Sequence, residues 1–237
     1  MTRLVGRCIV LAITLYFYLT HQTEQFAAIE KQRFFEKISL LHLLWGVWMA
    51  DMLCQMIPAK RNLALGSLKV FPQYFVPRKL KNGAAKLKKY IITTGKMASR
   101  IILLWAALIA LIGLLYHKNY LGNQELLLIS VLFYVCDLIC VLVWCPFRLL
   151  LKNRCCTTCR IFNWDHLMMF TPMLFIGSFF SWSLLLASLG VWAIWEMGIV
   201  LHPERFWWGS NAALDCANCT DKLCTQYCQK LKKNAER

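Results

Sequence analysis

The sequence is short of charge, and above all of negative charge. Only 16% of its 237 residues are charged, 12 acidic residues stand against 27 basic ones, and 59% of the residues are hydrophobic. Soluble domains are closer to one-half apolar and one-quarter charged. The composition, with a mean hydropathy of +0.49, therefore excludes an ordinary soluble domain and predicts a membrane protein.

The short motifs of common enzyme sites are also missing. No GxGxxG, Walker A, HExxH or GxSxG pattern occurs in the chain, so no motif argues for a nucleotide or hydrolase site. The basic residues are not part of a recognisable nucleic-acid recognition fold, and nucleic acid is not an expected partner.

Long apolar runs predict an all-α bundle of transmembrane helices, since a spanning helix needs about 20 apolar residues. The candidate segments are residues 4–20, 38–57, 101–116, 126–147 and 167–201. The first run has no small-residue cleavage site after it, so we expect it to remain as a helix. The last run would be about 52 Å long as one straight helix, which exceeds the roughly 30 Å of hydrocarbon. The small residues of GSFFSWS, from Gly177 to Ser183, favour a hairpin near its middle.

Charge placement predicts the orientation of these helices. Residues 59–100 contain eleven Lys and Arg and no acid, so the positive-inside rule places this loop in the cytoplasm. A hairpin over 167–201 then gives about six crossings, and a single passage gives five. On this topology residues 1–147 hold helices 1–4 and the basic loop, and 148–166 form a cysteine-bearing cytoplasmic loop. Residues 167–201 form the last membrane segment, and 202–237 form a cysteine-rich tail.

Seven of the twelve cysteines fall in two short stretches, NRCCTTCRIFNWD and LDCANCTDKLCTQYC. Two residues between cysteines let both sulfurs point at one ion, and two such pairs complete a tetrahedral site. Cys156 and Cys159 with Cys216 and Cys219 are the leading ligands, for zinc or an iron–sulfur cluster. Cys155, Cys224 and Cys228 are additional candidate metal ligands that an iron–sulfur cluster could use.

Other interpretations of the same cysteines remain open. They could form disulfides, stay as free thiols or carry lipid. The shared site also requires the tail to lie on the same side of the membrane as the 148–166 loop. The remaining five cysteines lie on apolar segments, where cysteine behaves as a small hydrophobe, and no role is assigned to them.

Two acids within apolar segments support a second hypothesis. Asp51 and Asp137 are each surrounded by apolar residues, and a buried carboxylate in a membrane costs a few kcal/mol unless it is paired, protonated or wet. They either make polar contacts between helices or form a proton or cation path in a small ion-coupled transporter. A third hypothesis is a membrane scaffold or assembly factor.

The basic loop 59–100 is also suited to the membrane surface. Each of its cations gains on the order of 1 kcal/mol near anionic lipid. The bilayer, with anionic lipid at this loop, is therefore the expected partner.

The motifs CCTTCRIFNWD, HPERF and CANCTDKLC together resemble a family of uncharacterised bacterial integral membrane proteins, over about the last ninety residues. The resemblance implies a protein of the bacterial inner membrane. It also implies that the two cysteine clusters belong to one unit.

Overall fold

The structure, a computed structural model, describes residues 2–30, 34–36, 38–57, 65–78, 83–151, 153 and 155–215. Within these residues the secondary structure is helical, and the one β contact is an isolated bridge between Pro77 and Asn211. The prediction of an all-α fold is confirmed for this part of the chain.

The described chain forms α-helices joined by turns and short 3-10 segments. In chain order they are α1 (Thr2–Leu19), α2 (Leu40–Met56), α3 (Leu65–Leu68), α4 (Gly83–His117), α5 (Asn123–Leu142), α6 (Phe147–Leu151), α7 (Asp165–Phe170) and α8 (Phe179–Leu201).

Three of these helices, α4, α5 and α8, are long and apolar enough to cross a membrane, and α1 and α2 are shorter apolar helices. The apolar runs therefore correspond to helices. One boundary differs, because α4 begins at Gly83, inside the predicted basic loop 59–100. The Ala, Leu and Lys residues there favour a helix, and no proline interrupts 83–117, so the apolar helix extends into the basic segment.

The segment 167–201 is broken in its first third, at 171–178, which includes Gly177 and Ser178 of GSFFSWS, whereas the other five residues of that motif belong to α8. Helix α7 runs into a 3-10 turn, Thr171–Phe175, and α8 starts afresh at Phe179. The hydroxyl of Ser178 accepts a hydrogen bond from the backbone N–H of Ser181 at 3.3 Å. This bond satisfies an N–H group at the start of α8 that has no partner within the helix.

The chain divides into two compact units. Unit 1 consists of Met1–Met56, Leu104–Ile139 and Trp164–Val191, and unit 2 consists of Ile57–Leu103, Cys140–Asn163 and Trp192–Arg237. Residues 164–191 thus belong to unit 1, whereas the residues just before and just after them belong to unit 2.

Unit 1 has an apolar core in which large side chains from several helices meet. Trp48 of α2, Phe170 of α7 and Phe180 of α8 are each 1% exposed or less. The close approach of α4 to the 3-10 turn depends on Gly113, where an added Cβ would lie 2.4 Å from the Phe175 ring. A bulkier residue at this position would separate the two elements.

Unit 2 is held together by polar contacts as much as by apolar ones. Asn211 is fully buried, and its side-chain oxygen accepts from the backbone N–H of Val76 at 3.1 Å. Its side-chain nitrogen donates to the Arg205 carbonyl at 2.9 Å. These bonds fix the segment that follows α8 against the segment that precedes α4.

Candidate functional site

The first cysteine cluster lies on a compact loop of unit 2. Cys156–Thr158 form one turn of 3-10 helix, and the backbone N–H of Cys159 donates to the Cys156 carbonyl at 2.9 Å. The backbone of Ile161 hydrogen-bonds the Cys159 sulfur, and Arg148 Nη2 donates to the Cys156 sulfur at 3.4 Å. Cys155, Cys156 and Cys159 are all free thiols. Disulfides among these three loop cysteines are therefore not formed.

A buried lysine side chain donates hydrogen bonds to the backbone of this loop. Lys69 is 1% exposed, and its Nζ donates to the backbone carbonyls of Thr157 at 2.8 Å and Cys159 at 3.0 Å. The ammonium also lies 4.8 Å from the ring centre of Trp195 and 5.4 Å from that of Phe206. Burial lowers the pKa of Lys69 to about 7, but two carbonyl acceptors and two aromatic faces stabilise its charged form.

The loop is also anchored at its far end. Arg160 forms a two-pronged ion pair with Glu196 of α8, one of whose contacts measures 2.6 Å. The indole N–H of Trp195 donates to the Arg160 carbonyl at 2.8 Å. Because the middle of the loop and its far end are fixed, protein contacts position the two sulfurs of the CxxC pair.

The thiols of Cys156 and Cys159 are protonated at neutral pH. Burial raises the pKa of Cys159 to about 12, and it raises the pKa of Cys156 in spite of the neighbouring Arg148. A metal ion would have to displace these protons, as ligation by thiolates generally requires.

Sequence reasoning missed two further cysteines in this region. Cys140 and Cys145, left without a role, hydrogen-bond each other in unit 2. That bond, with the backbone N–H groups of Phe147 and Arg148, lowers the pKa of Cys145 to about 6. The spacing CxxxxC was a signal for this pair, but it lies on an apolar run that resembled ordinary helix.

The second predicted cluster, Cys216, Cys219, Cys224 and Cys228, lies outside the described residues. The residues just before it belong to unit 2. Asp215 forms an ion pair with Arg78, and Leu214 packs against Leu65 of α3.

No three His, Cys, Asp or Glu side chains in the described part of the chain are grouped so that they could hold a metal ion. Cys155, Cys156 and Cys159 thus do not form a site by themselves. A four-sulfur centre would need ligands from the tail.

The two predicted intramembrane acids have partners in unit 1. Asp137 pairs with Arg7 of α1 at 2.6 Å, and Asp51 contacts His166 Nε2 at 3.2 Å. The other ring nitrogen of His166 contacts Asp165 at 3.1 Å. Asp165 also interacts electrostatically with Asp137 and Arg7, so the five groups form one charged network.

The state of His166 follows from this network. Burial alone would lower its pKa, but Asp165 and Asp51 outweigh burial and raise the pKa of His166 to about 10. The side chain is 6% exposed and is therefore a buried imidazolium at neutral pH.

The described residues form a helical fold that contains membrane-length helices and a thiol loop held in place by hydrogen bonds and an ion pair. No family model, curated protein or solved structure matches this chain. The resemblance to bacterial membrane proteins accordingly depends on the motifs CCTTCRIFNWD, HPERF and CANCTDKLC alone.

Proposed function

We propose that the chain is a multi-pass membrane protein of the bacterial inner membrane that carries a metal centre at its cytoplasmic face. Cys156 and Cys159 supply two ligands, and Cys216 and Cys219 of the tail supply the other two. The metal is zinc in a structural role or an iron–sulfur cluster in a redox role, since four thiolates suit either.

One observation carries the proposal. The short helix α3 contacts the Cys156–Thr158 turn, and Leu65 of the same helix packs against Leu214. Cys216 follows Leu214 by two residues, a span of about 7 Å at most. The tail therefore begins beside the element on which the first cysteine pair rests.

We also infer a membrane topology in which the tail and the thiol loop lie on the same side. Helices α1, α2, α4 and α5 cross the bilayer, and the segment 164–201 enters and leaves on one side. Its first arm, α7 with the 3-10 turn, is only about 19 Å long, too short for roughly 30 Å of hydrocarbon. Non-helical backbone at membrane depth must be buried in protein; Met173 and Ile176 are at most 1% exposed, whereas Leu174 is 44% exposed. We therefore propose four crossings and a partly buried hairpin in place of the expected six or five crossings, with the tail on the side of the thiol loop.

Metal analysis of the full-length protein tests the proposal. We expect protein purified without oxygen to contain either one zinc per chain and no colour, or iron with visible absorbance that oxidation bleaches. The paired variant Cys156→Ser/Cys159→Ser should lose the metal. A matched control, Cys8→Ser/Cys54→Ser, removes the same number of thiols from exposed helix positions and should keep it.

Two results would contradict the metal centre. One is wild-type protein that contains no zinc or iron after anaerobic purification. The other is equal metal content in the two paired variants, which would mean that the loop thiols are not ligands.

The contacts of Asp51 and Asp137 give less support to the hypothesis of an ion-coupled transporter. Arg7 neutralises Asp137, which suits a packing contact between α1 and α5. The His166 imidazolium likewise compensates Asp51 and Asp165. Each acid thus has a partner that explains its presence among apolar helices.

A further inference from the structure

Unit 2 contains a cavity of about 500 Å³ that the metal centre does not use. One wall is a face of α4, with Lys86, Lys89, Tyr90, Thr93, Thr94 and Met97. The other wall is formed by Leu151, Asn153, Thr158, Arg160 and Trp208. The volume is within the range of about 300–1,000 Å³ that is typical of small-molecule sites.

The charge of this cavity has one sign. Lys86, Lys89 and Arg160 line it, and no Asp or Glu among the described residues does. Arg160 is neutralised by Glu196, whereas neither lysine has an ion-pair partner within the described residues. Two ammonium groups one helical turn apart thus face the cavity without a counter-charge, which is an arrangement suited to an anion.

The rest of the lining combines apolar and aromatic side chains with four uncharged polar ones, Thr93, Thr94, Asn153 and Thr158. Trp208 is about half-exposed in spite of its size, and Met97 and Leu151 lie on opposite walls. The hydroxyls of Thr93 and Thr94 donate to backbone carbonyls of their own helix at 2.8 Å, so the lysines are the main donors to a ligand. The cavity is also far larger than a bare phosphate ion needs.

We propose that this cavity binds a phosphate ester, with the phosphate between Lys86 and Lys89 and an apolar part against Trp208, Met97 and Leu151. The source of the ester is an anionic phospholipid headgroup or a soluble phosphate ester. The site is independent of the metal centre, although Thr158 of the thiol loop belongs to its wall. A phosphate needs strong donors of positive charge, and each lysine on this face supplies one.

Ligand-dependent thermal stabilisation of the purified full-length protein in detergent tests the proposal. The probes are short-chain phosphatidylglycerol, short-chain phosphatidylcholine and glycerol 3-phosphate, since binding to the folded state raises Tm with ligand concentration. We expect phosphatidylglycerol or glycerol 3-phosphate to stabilise the wild type more strongly than phosphatidylcholine. Response to the lipid alone identifies a headgroup, and response to glycerol 3-phosphate identifies a soluble ester.

The chain offers a matched control. Lys86→Gln/Lys89→Gln should weaken binding by roughly tenfold or more, because each cation contributes on the order of 1 kcal/mol. Lys88→Gln/Lys96→Gln removes the same charge from exposed positions of α4 that do not line the cavity, and it should change affinity less than about twofold. All four residues are exposed, so neither variant should disturb folding.

Either of two outcomes would overturn the proposal. Equal losses in the two variants would mean that ligand responds to the overall charge of α4 and not to the cavity. Failure of both phosphatidylglycerol and glycerol 3-phosphate to stabilise the wild type would exclude the site, whether or not metal is present at the cysteines.

Discussion

The charged network predicts that the contribution of His166 to stability falls as the pH rises above neutrality. Its folded-state pKa of about 10 lies above the ordinary value of 6.5. A group with a raised pKa stabilises the fold fully below 6.5, and its contribution is lost as the pH rises through about 10. The full shift corresponds to roughly 5 kcal/mol.

Only part of this energy would appear in a measurement. The Asp51 side chain is 47% exposed, so its pairing with the imidazolium is weaker than that of a fully enclosed pair. Between pH 6.5 and 8.5 we therefore expect the contribution of His166 to the free energy of unfolding to fall by about 1–2 kcal/mol. Lys69, with a pKa of about 7, and Cys145, with a pKa of about 6, titrate near the same interval and oppose the His166 effect, so the contribution of His166 is isolated by comparison with a variant that lacks this residue.

The assay compares unfolding at pH 6.5 and 8.5 in the wild type and in His166→Gln, which keeps a hydrogen-bonding side chain and cannot be protonated. The variant should be less stable than the wild type at pH 6.5, and the difference in their free energies of unfolding should shrink by about 1–2 kcal/mol at pH 8.5. The control His117→Gln changes an exposed histidine and should keep the wild-type slope. If His166→Gln and the wild type show the same slope, the buried imidazolium does not exist.

Three further predictions concern single contacts. Lys69→Met should destabilise unit 2 by about 2–4 kcal/mol in chemical unfolding, because two buried carbonyls lose a charged donor; unchanged stability would contradict this role. Asp137→Asn should cost about 1–3 kcal/mol by leaving Arg7 unpaired, and adding Arg7→Met should recover part of that loss in a double-mutant cycle. Gly113→Ala should lower Tm, because its methyl group would overlap an aromatic ring. The free energy of unfolding should fall by about 1–3 kcal/mol. Gly95→Ala, with open space on the same helix, should be neutral or stabilising by up to about 1 kcal/mol.

Most of the helix content could be predicted from the sequence, because apolar runs of this length form helices for local reasons. The break near Gly177 was predictable too, since small and hydroxylic residues interrupt the run. The start of α4 at Gly83 was not, because the charge of 83–100 indicated a loop while its residue types favour a helix. The orientation from charge and the metal remain predictions.

The contacts around the candidate site could not be predicted in the same way. Nothing near Lys69 in the chain indicates that it donates hydrogen bonds to the Thr157 and Cys159 carbonyls, which are about ninety residues away. Asp137 was marked as an acid that needs a partner, but 130 positions separate it from Arg7. Composition alone also gave no reason to separate Cys140 and Cys145 from other helix cysteines.

The sequence by itself determined that the chain is helical and apolar, and that its thiols are concentrated in two clusters, because these properties depend on residues that are neighbours along the chain. Only the tertiary structure decided which charges neutralise each other, which lysine braces the thiol loop and where a cationic cavity lies. The physical reason is that such pairs form where packing brings distant segments together, and the cost of burying their charges is met only there.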